Sequence, residues 1–370
     1  MKPRAMRASE RLAAGLLIAL AGAACTEAQA QAQKSAADPS VPQRSAVNPS
    51  QKPPVEPTPA QWLERMNQAL TMRNYEGTFS HWQGGRVEML RILHRVQDGS
   101  VAERLASLDG SGREFIRTGA SLACYLPDKR TVVVEQRPAQ KPLVGVPAVD
   151  PQTAAYYDIR EVARMRLNRR NTHVITVSPK DEYRYGYRLW IDDTTAMPLK
   201  TQLCDAHGHV IEQLVFADLT LNPKLPDSAF RPEVSTEGYT WLRNDPPPSA
   251  AGTPLMPWRA RQLPPGFHMT VQSAQTLPGG SGPVDHLVFS DGVASVSVFV
   301  EQLARPPSGA SEVVAQSATV GSSSAYSTVI DGHKVTAVGE VPPETVRLIA
   351  TEVQASQRPD MPVQPVQRRP

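Results

Sequence analysis

The densest set of potential ligands in this chain is Cys204-Asp205-Ala206-His207-Gly208-His209. A thiol, a carboxylate and two imidazoles fall within six residues, and such groups can bind zinc or a related transition metal. The same string suits a polar hairpin turn in which Gly208 supplies an unusual backbone angle. The turn is the reading adopted, so no metal is expected. Hydrolase and nucleotide signatures are missing as well, since no GxSxG, HExxH or P-loop occurs. Gly279-Gly280-Ser281-Gly282 lacks the strand–helix context of a phosphate cradle. Neither a catalytic constellation nor a cofactor is expected, and the chain reads as a binding protein rather than an enzyme.

Three further sets are suited to binding. Arg160, Arg164, Arg166, Arg169 and Arg170 form the densest basic stretch. Guanidinium groups make paired contacts with phosphate or carboxylate, so Arg164, Arg166, Arg169 and Arg170 are candidates for an anionic group or an acidic partner; the alternative is a solvated helix face. Tyr183, Tyr185 and Tyr187 alternate with Arg184 and Arg188, which on a strand puts aromatics on one face and arginines on the other. With Trp62, Phe79 and Trp82, these tyrosines either line an apolar, lipid-sized cavity or fill an ordinary core. Phe299 and Tyr326 are mainly core by type. They become partner contacts if a peptide adds to their sheet by strand pairing or in a groove. Cys124 and Cys204 either pair as a disulfide or stay as two thiols.

These side chains need elements to hold them. The chain has 370 residues and 35 prolines that cluster in runs, which argues for two domains with linkers and tails. Residues 1–30 read as a signal peptide: Lys2, Arg4, Arg7 and Arg11 precede the apolar run Leu12 to Ala24, and Ala28-Gln29-Ala30 fits a cleavage site. The rest is expected to be soluble and outside the cytoplasm. Residues 1–28 hold four basic and two acidic side chains, so most of the formal net charge of +3 sits in this segment. The basic balance is no argument for nucleic acid. Cys25 is either part of the removed segment or a lipidation site.

Residues 31–58 form a Pro-rich spacer too poor in large apolar groups to fold. A helix starts at Thr58-Pro59 and buries Trp62, Leu63, Met66, Ala69 and Leu70. Hairpins follow, turning at Gly84-Gly85, Asp98-Gly99 and Pro127-Asp128-Lys129. A second helix is expected over Thr153 to Leu167. A meander comes next, through 171–178, 183–192, 199–205 and 210–219. Residues 59–243 should thus fold as an antiparallel sheet wrapped over one or two helices, able to curve into an open half-barrel. Residues 244–257 form a linker. Residues 258–355 form a smaller unit with hairpins turning at Asp291-Gly292 and Asp331-Gly332 and a helix opening at Pro343-Glu344. Residues 356–370 are a Pro/Gln-rich tail. The fold class is α+β.

Several of these segments resemble a known family. Leu263-Pro264-Pro265-Gly266-Phe267, His286 to Gly292 followed by Ser295 to Phe299, and Gly332 to Pro342 are similar to the C-terminal domain of the RseB/MucB family. Tyr187 to Asp192 and Met197 to Lys200 resemble its N-terminal domain and the wider lipoprotein-carrier fold. The resemblance runs from about Gln61 to Val353. It implies a LolA/LolB-like half-barrel with an apolar cavity and a smaller docking domain. It also implies a periplasmic negative regulator of an envelope-stress sigma factor. The implied partner is the periplasmic segment of a membrane anti-sigma factor of the RseA/MucA kind, which such a regulator shields from proteolysis. The implied effector is lipid-like, such as lipopolysaccharide or a lipoprotein acyl chain. The long spacer and Cys25 depart from the pattern and leave open a lipid or lipoprotein carrier of the LolA/LolB type.

Overall fold

The computed structural model describes residues 56–136, 153–244, 257–276, 282–303 and 315–356. The expected signal peptide, Cys25, the spacer up to residue 55, the core of the linker, Gly279 to Ser281 and the tail beyond residue 356 lie outside them.

Helix α1 (Pro59–Met72) begins where local chemistry dictates. Thr58 accepts from the Gln61 N–H, Gln61 answers on the Thr58 N–H, and Pro59 occupies the first turn, where its missing N–H costs nothing. Trp62, Leu63, Met66, Ala69 and Leu70 form its buried face.

Twelve strands make the first sheet: β1 (Tyr75–Gln83), β2 (Arg86–Gln97), β3 (Ser100–Ser107), β4 (Glu114–Thr118), β5 (Ser121–Leu126), β6 (Thr131–Gln136), β7 (Tyr157–Leu167), β8 (Arg170–Pro179), β9 (Gly186–Asp192), β10 (Pro198–Cys204), β11 (Val210–Leu221) and β12 (Thr240–Asn244). Their order is β12-β6-β5-β4-β3-β2-β1-β11-β10-β9-β8-β7. All pairs are antiparallel except β12 with β6. Gly84-Gly85, Asp98-Gly99 and Asn168-Arg169 take positive φ at both central positions, the two-residue turn whose twist matches paired strands. The sheet curls around α1. Its inner face and α1 share one apolar cluster that includes Phe79, Ile92, Tyr157, Ile175, Leu189 and Phe216. The curl brings the β7–β8 tip to β11, where Asn168 Nδ2 donates to the Phe216 carbonyl at 2.6 Å. That carbonyl lies at a β-bulge, since the β1–β11 register skips Ala217.

The second sheet has the order β14-β15-β16-β19-β18-β17. Its strands are β14 (His268–Thr276), β15 (Pro283–Ser290), β16 (Ser295–Gln302), β17 (Gln316–Val320), β18 (Ser323–Ile330) and β19 (His333–Gly339). Helix α2 (Pro343–Glu352) packs Val346, Ile349 and Ala350 onto Leu287, Phe289, Val296, Val298 and Ala337. A short pair, β13 (Trp258–Ala260) with β20 (Val353–Ala355), closes the unit. The expected architecture therefore holds: a large antiparallel sheet wrapped over a helix, plus a smaller sheet-and-helix unit.

Two readings are corrected. Thr153 to Leu167 is no helix; it is a 3-10 turn at Thr153–Ala155 followed by strand β7. Ile159, Val162 and Ala163 have helical spacing, but a bulge between Glu161 and Ala163 breaks the two-residue alternation. Pairing with β8 then overrides local preference. Strand β9 begins only at Gly186, so Tyr183, Arg184 and Tyr185 precede it, and Arg184 is fully buried instead of facing outward. Strands β3, β4, β12 and β17 carry weak alternation, and their residues do not announce them.

Candidate functional site: an inter-sheet clasp and an open strand edge

The two sheets are tied by buried polar groups. Arg184, in the segment leading into β9, reaches Asp291 in the β15–β16 turn, with Nη1 2.5 Å from Oδ2. Its other arms reach Asp181 and the Pro265 carbonyl. Tyr156, Tyr157 and Phe267 stack their rings around the guanidinium at 5.1–5.5 Å. Asp291 is saturated too. Tyr157 donates to Oδ2, and the Val293 and Ala294 N–H groups donate to Oδ1. A buried charge survives only when paired and bonded in this way. Burial, with Asp291 nearby, pushes the Tyr157 hydroxyl far up, so it stays a donor. Thr345 of α2 adds a bond to the Tyr183 carbonyl at 2.7 Å.

A second tie joins β1 and β11 to the β17–β18 turn and the end of β19. His81 Nε2 lies 2.8 Å from Glu212 Oε1, and Gln83 Nε2 donates to Glu212 Oε2 at 2.8 Å. The Ser322 oxygen lies 3.0 Å from Glu212 Oε2, 2.7 Å from Glu340 Oε1 and 3.3 Å from Gln83 Nε2. Gly321 lets the turn come this close, because a Cβ there would collide with the Gln83 side chain and φ is +60°. Burial pushes Glu212 up, but the bonds from His81, Ser322 and Gln83 outweigh it and hold the carboxyl below its usual range. Glu340 goes the other way: burial raises it and outweighs the Ser322 bond and the His81 charge, which lower it, while the Glu212 charge adds to the rise.

The aromatic candidates separate. Trp62 stacks on His173 at 4.1 Å with Arg65 over its ring, and Phe79 packs on Phe216 at 5.4 Å. Both lie in the cluster under the first sheet, against which Tyr187 also packs. Burial pushes the Tyr187 hydroxyl far up. Trp82 alternates out of that face. Tyr185 is buried and Tyr183 half-buried ahead of β9. Beside Trp62 a cavity of about 380 Å³ opens between α1 and the β9–β10 turn, lined by Arg65, Ala69, Met72, Arg73 and Ala196.

Arg164 and Arg166 lie on β7, the edge strand of the first sheet, and Arg169 and Arg170 at its hairpin turn. The strand carries Val162 and Met165 half exposed. Arg164 bonds Glu161 and Arg170 bonds Asp192, whereas Arg166 Nη2 donates to the Arg169 carbonyl at 3.1 Å, and both Arg166 and Arg169 are exposed. These arginines lie on a strand and its turn, not on a helix face. Phe299 stacks on His286 at 4.7 Å on the outer face of the second sheet, and Tyr326 packs toward its core. Cys204 is a buried free thiol, pushed up by burial, with five strands between β10 and the β5 strand of Cys124. The two do not form a disulfide. Asp205 spends its oxygens on the His207 and His209 N–H groups and on His209 Nδ1, the polar-turn arrangement. Among the described residues no group of three or more His, Cys, Asp or Glu side chains could hold a metal.

Arg184 stood in the sequence only as one of the arginines alternating with tyrosines, and Asp291 only as a turn residue. Glu212, Ser322 and Glu340 carry no signal of their own. Each is a common polar residue in a turn or strand end, and only the juxtaposition of the two sheets reveals its part.

Two antiparallel-dominated sheets, each with a helix on its inner face and latched by buried charges, define an α+β scaffold with an unpaired strand edge among the described residues. The MucB/RseB N-terminal domain model matches residues 58–234 and the MucB/RseB C-terminal domain model matches residues 253–354. The chain belongs to the MucB/RseB family. It is 32% identical over 301 residues to the sigma factor AlgU regulatory protein MucB of Pseudomonas aeruginosa, covering 79% of this chain and 89% of that one. It is 29% identical over 307 residues to the sigma-E factor regulatory protein RseB of Salmonella typhimurium, covering 80% and 91%. Among solved structures, the Pseudomonas aeruginosa MucA/MucB complex aligns with a TM-score of 0.62 at 30% identity, covering 81% of this chain and 99% of that chain.

Proposed function

We propose that this protein is a periplasmic negative regulator of an envelope-stress sigma factor. It binds the periplasmic segment of a membrane anti-sigma factor and shields it from proteolysis. The observation that carries this reading is the alignment, over 81% of the chain, with MucB in its complex with MucA. The β7 edge supports it physically. Among the described residues no strand pairs with β7 on the side away from β8, so an extended segment could add there through backbone bonds. Arg166 and Arg169 would meet acidic side chains of that segment.

A lipid-like effector would enter at the cavity beside Trp62. Arg65 and Arg73 in its lining suit an anionic head group and Trp62, Ala69, Met72 and Ala196 suit an acyl chain, while Asp193, Thr194 and Thr195 make the opposite wall polar and partly acidic. Coupling of this kind is reciprocal: the effector weakens partner binding by the factor by which the partner weakens effector binding.

The test is calorimetry with the periplasmic segment of the host's own anti-sigma factor, with and without a lipid A fragment. Tight binding that the lipid weakens is expected. A segment that does not bind, beside a lipid that does, would make the protein a carrier.

A further inference from the structure

The Ser322 hydroxyl sits between two carboxylates from different sheets, and it has one hydrogen. It cannot donate to Glu212 and Glu340 together. Gln83 Nε2 donates to its oxygen, which leaves one lone pair and one hydrogen. The contacts of 3.0 Å to Glu212 and 2.7 Å to Glu340 are both satisfied only if Ser322 donates to one carboxylate and the other carboxyl donates its own hydrogen to Ser322. Glu212 already receives bonds from His81 and Gln83, which favour its ionised form. The proton therefore belongs on Glu340, and Ser322 donates to Glu212.

We propose that Glu340 is a proton-operated latch between the two sheets. Protonated, it donates to Ser322 and closes the seam along β1 and β11. Ionised, its proton lost to solvent, it opposes the Glu212 charge across one oxygen atom, and the turn carrying Gly321 and Ser322 lifts from Gln83. The Arg184–Asp291 clasp lies elsewhere on the interface and stays shut, so the second sheet swings instead of detaching.

Burial is the largest influence on Glu340 and raises it; the Ser322 hydrogen bond opposes that rise, the Glu212 charge adds to it and His81 opposes it, and the net direction is upward. Tyr187 and Tyr185 also sense Glu340, and Glu344 of α2 lies near Tyr185. Neither tyrosine brings a positive charge. Glu340 is held above the ordinary value of 4.5. A raised carboxyl stabilises the closed form fully below its unfolded-state value, and that contribution is lost as pH rises through the folded one. Glu212, held low, sets the opposite limit, with its contribution lost as pH falls through its folded value. The seam is closed between the two.

The test needs no partner, so its failure would leave the proposed function untouched. The protein with carboxyl-labelled glutamate is titrated by NMR, and Glu340→Gln identifies the Glu340 resonance by its disappearance. Exchange of the Gln83 side-chain amide, which donates to Ser322 across the seam, is followed over the same pH range and corrected for intrinsic rate. The resonance is expected to titrate above 4.5. Protection should fall about tenfold per pH unit from there up to the midpoint of that resonance. Glu340→Gln, which can still donate to Ser322, should keep its protection, and Glu344→Gln should behave as wild type. A Glu340 resonance at or below 4.5 overturns the proposal. If Glu340→Gln does not fold, the wild type decides alone: pH-independent protection of the Gln83 side-chain amide overturns it equally.

Discussion

Arg184 Nη1 lies 2.5 Å from Asp291 Oδ2 with neither side chain reaching solvent, although 107 positions separate them in the chain. The pair joins the first sheet to the second, and each partner is completed by neighbours of its own. Removing Asp291 takes one carboxylate from a buried guanidinium that keeps only Asp181 and the Pro265 carbonyl, and leaves the Tyr157 hydroxyl and two backbone N–H groups without their acceptor. Asp291→Ala should cost about 3–5 kcal/mol in urea unfolding. Arg184→Lys keeps the charge but cannot reach Asp181, Asp291 and Pro265 at once, and should cost about 1–3 kcal/mol.

Acid should loosen the fold through two buried histidines. Burial lowers His94, a bond to the Arg73 carbonyl opposes that shift, and the Arg117 charge adds to it. Burial alone lowers His286, whose Nε2 has no partner. Both stay neutral when folded and charge more readily when unfolded. Their contribution is present above the ordinary value of 6.5 and is lost as pH falls from there through the folded value. Each can steepen the loss by at most about 1.4 kcal/mol per pH unit. His286→Phe preserves the stack on Phe299 and should flatten part of the slope in urea melts between about pH 7 and 5.

Thr58 is a local test of helix α1. Thr58→Ala removes the cap on the Gln61 N–H and should cost about 1 kcal/mol. Thr58→Ser should cost little, as read by thermal unfolding.

The β7 edge makes a binding prediction. Arg166 and Arg169 are exposed, so Arg166→Glu with Arg169→Glu should leave the melting temperature nearly unchanged. Affinity for the anti-sigma segment should fall about tenfold, with the loss shrinking at high salt. Equal affinity in calorimetry would move the partner to another surface.

The sequence is most legible where local chemistry decides the outcome. Thr58-Pro59 marks a helix start, Asp98-Gly99 and Asp331-Gly332 mark tight turns, and Trp62, Met66 and Leu70 mark a buried face. The family resemblance covers both units. Strand β7 misleads because one bulge shifts its pattern toward helical spacing. Tyr183 to Tyr187 mislead because their alternation begins before the strand does. The ties between sheets are invisible for a different reason. Arg184 and Asp291, or Glu212 and Glu340, acquire their meaning from contacts across more than a hundred residues, and no local pattern encodes those. The turn residues Asp205, His207 and His209, just after Cys204, show the reverse: a suggestive string whose bonding is wholly local.

The most direct test of the regulatory reading is a proteolysis time course on the anti-sigma factor's periplasmic segment, with the protein added at rising concentration. Cleavage should slow in proportion to the bound fraction and recover when a lipid A fragment is added. Unchanged cleavage at concentrations where calorimetry reports saturation would contradict the shielding role.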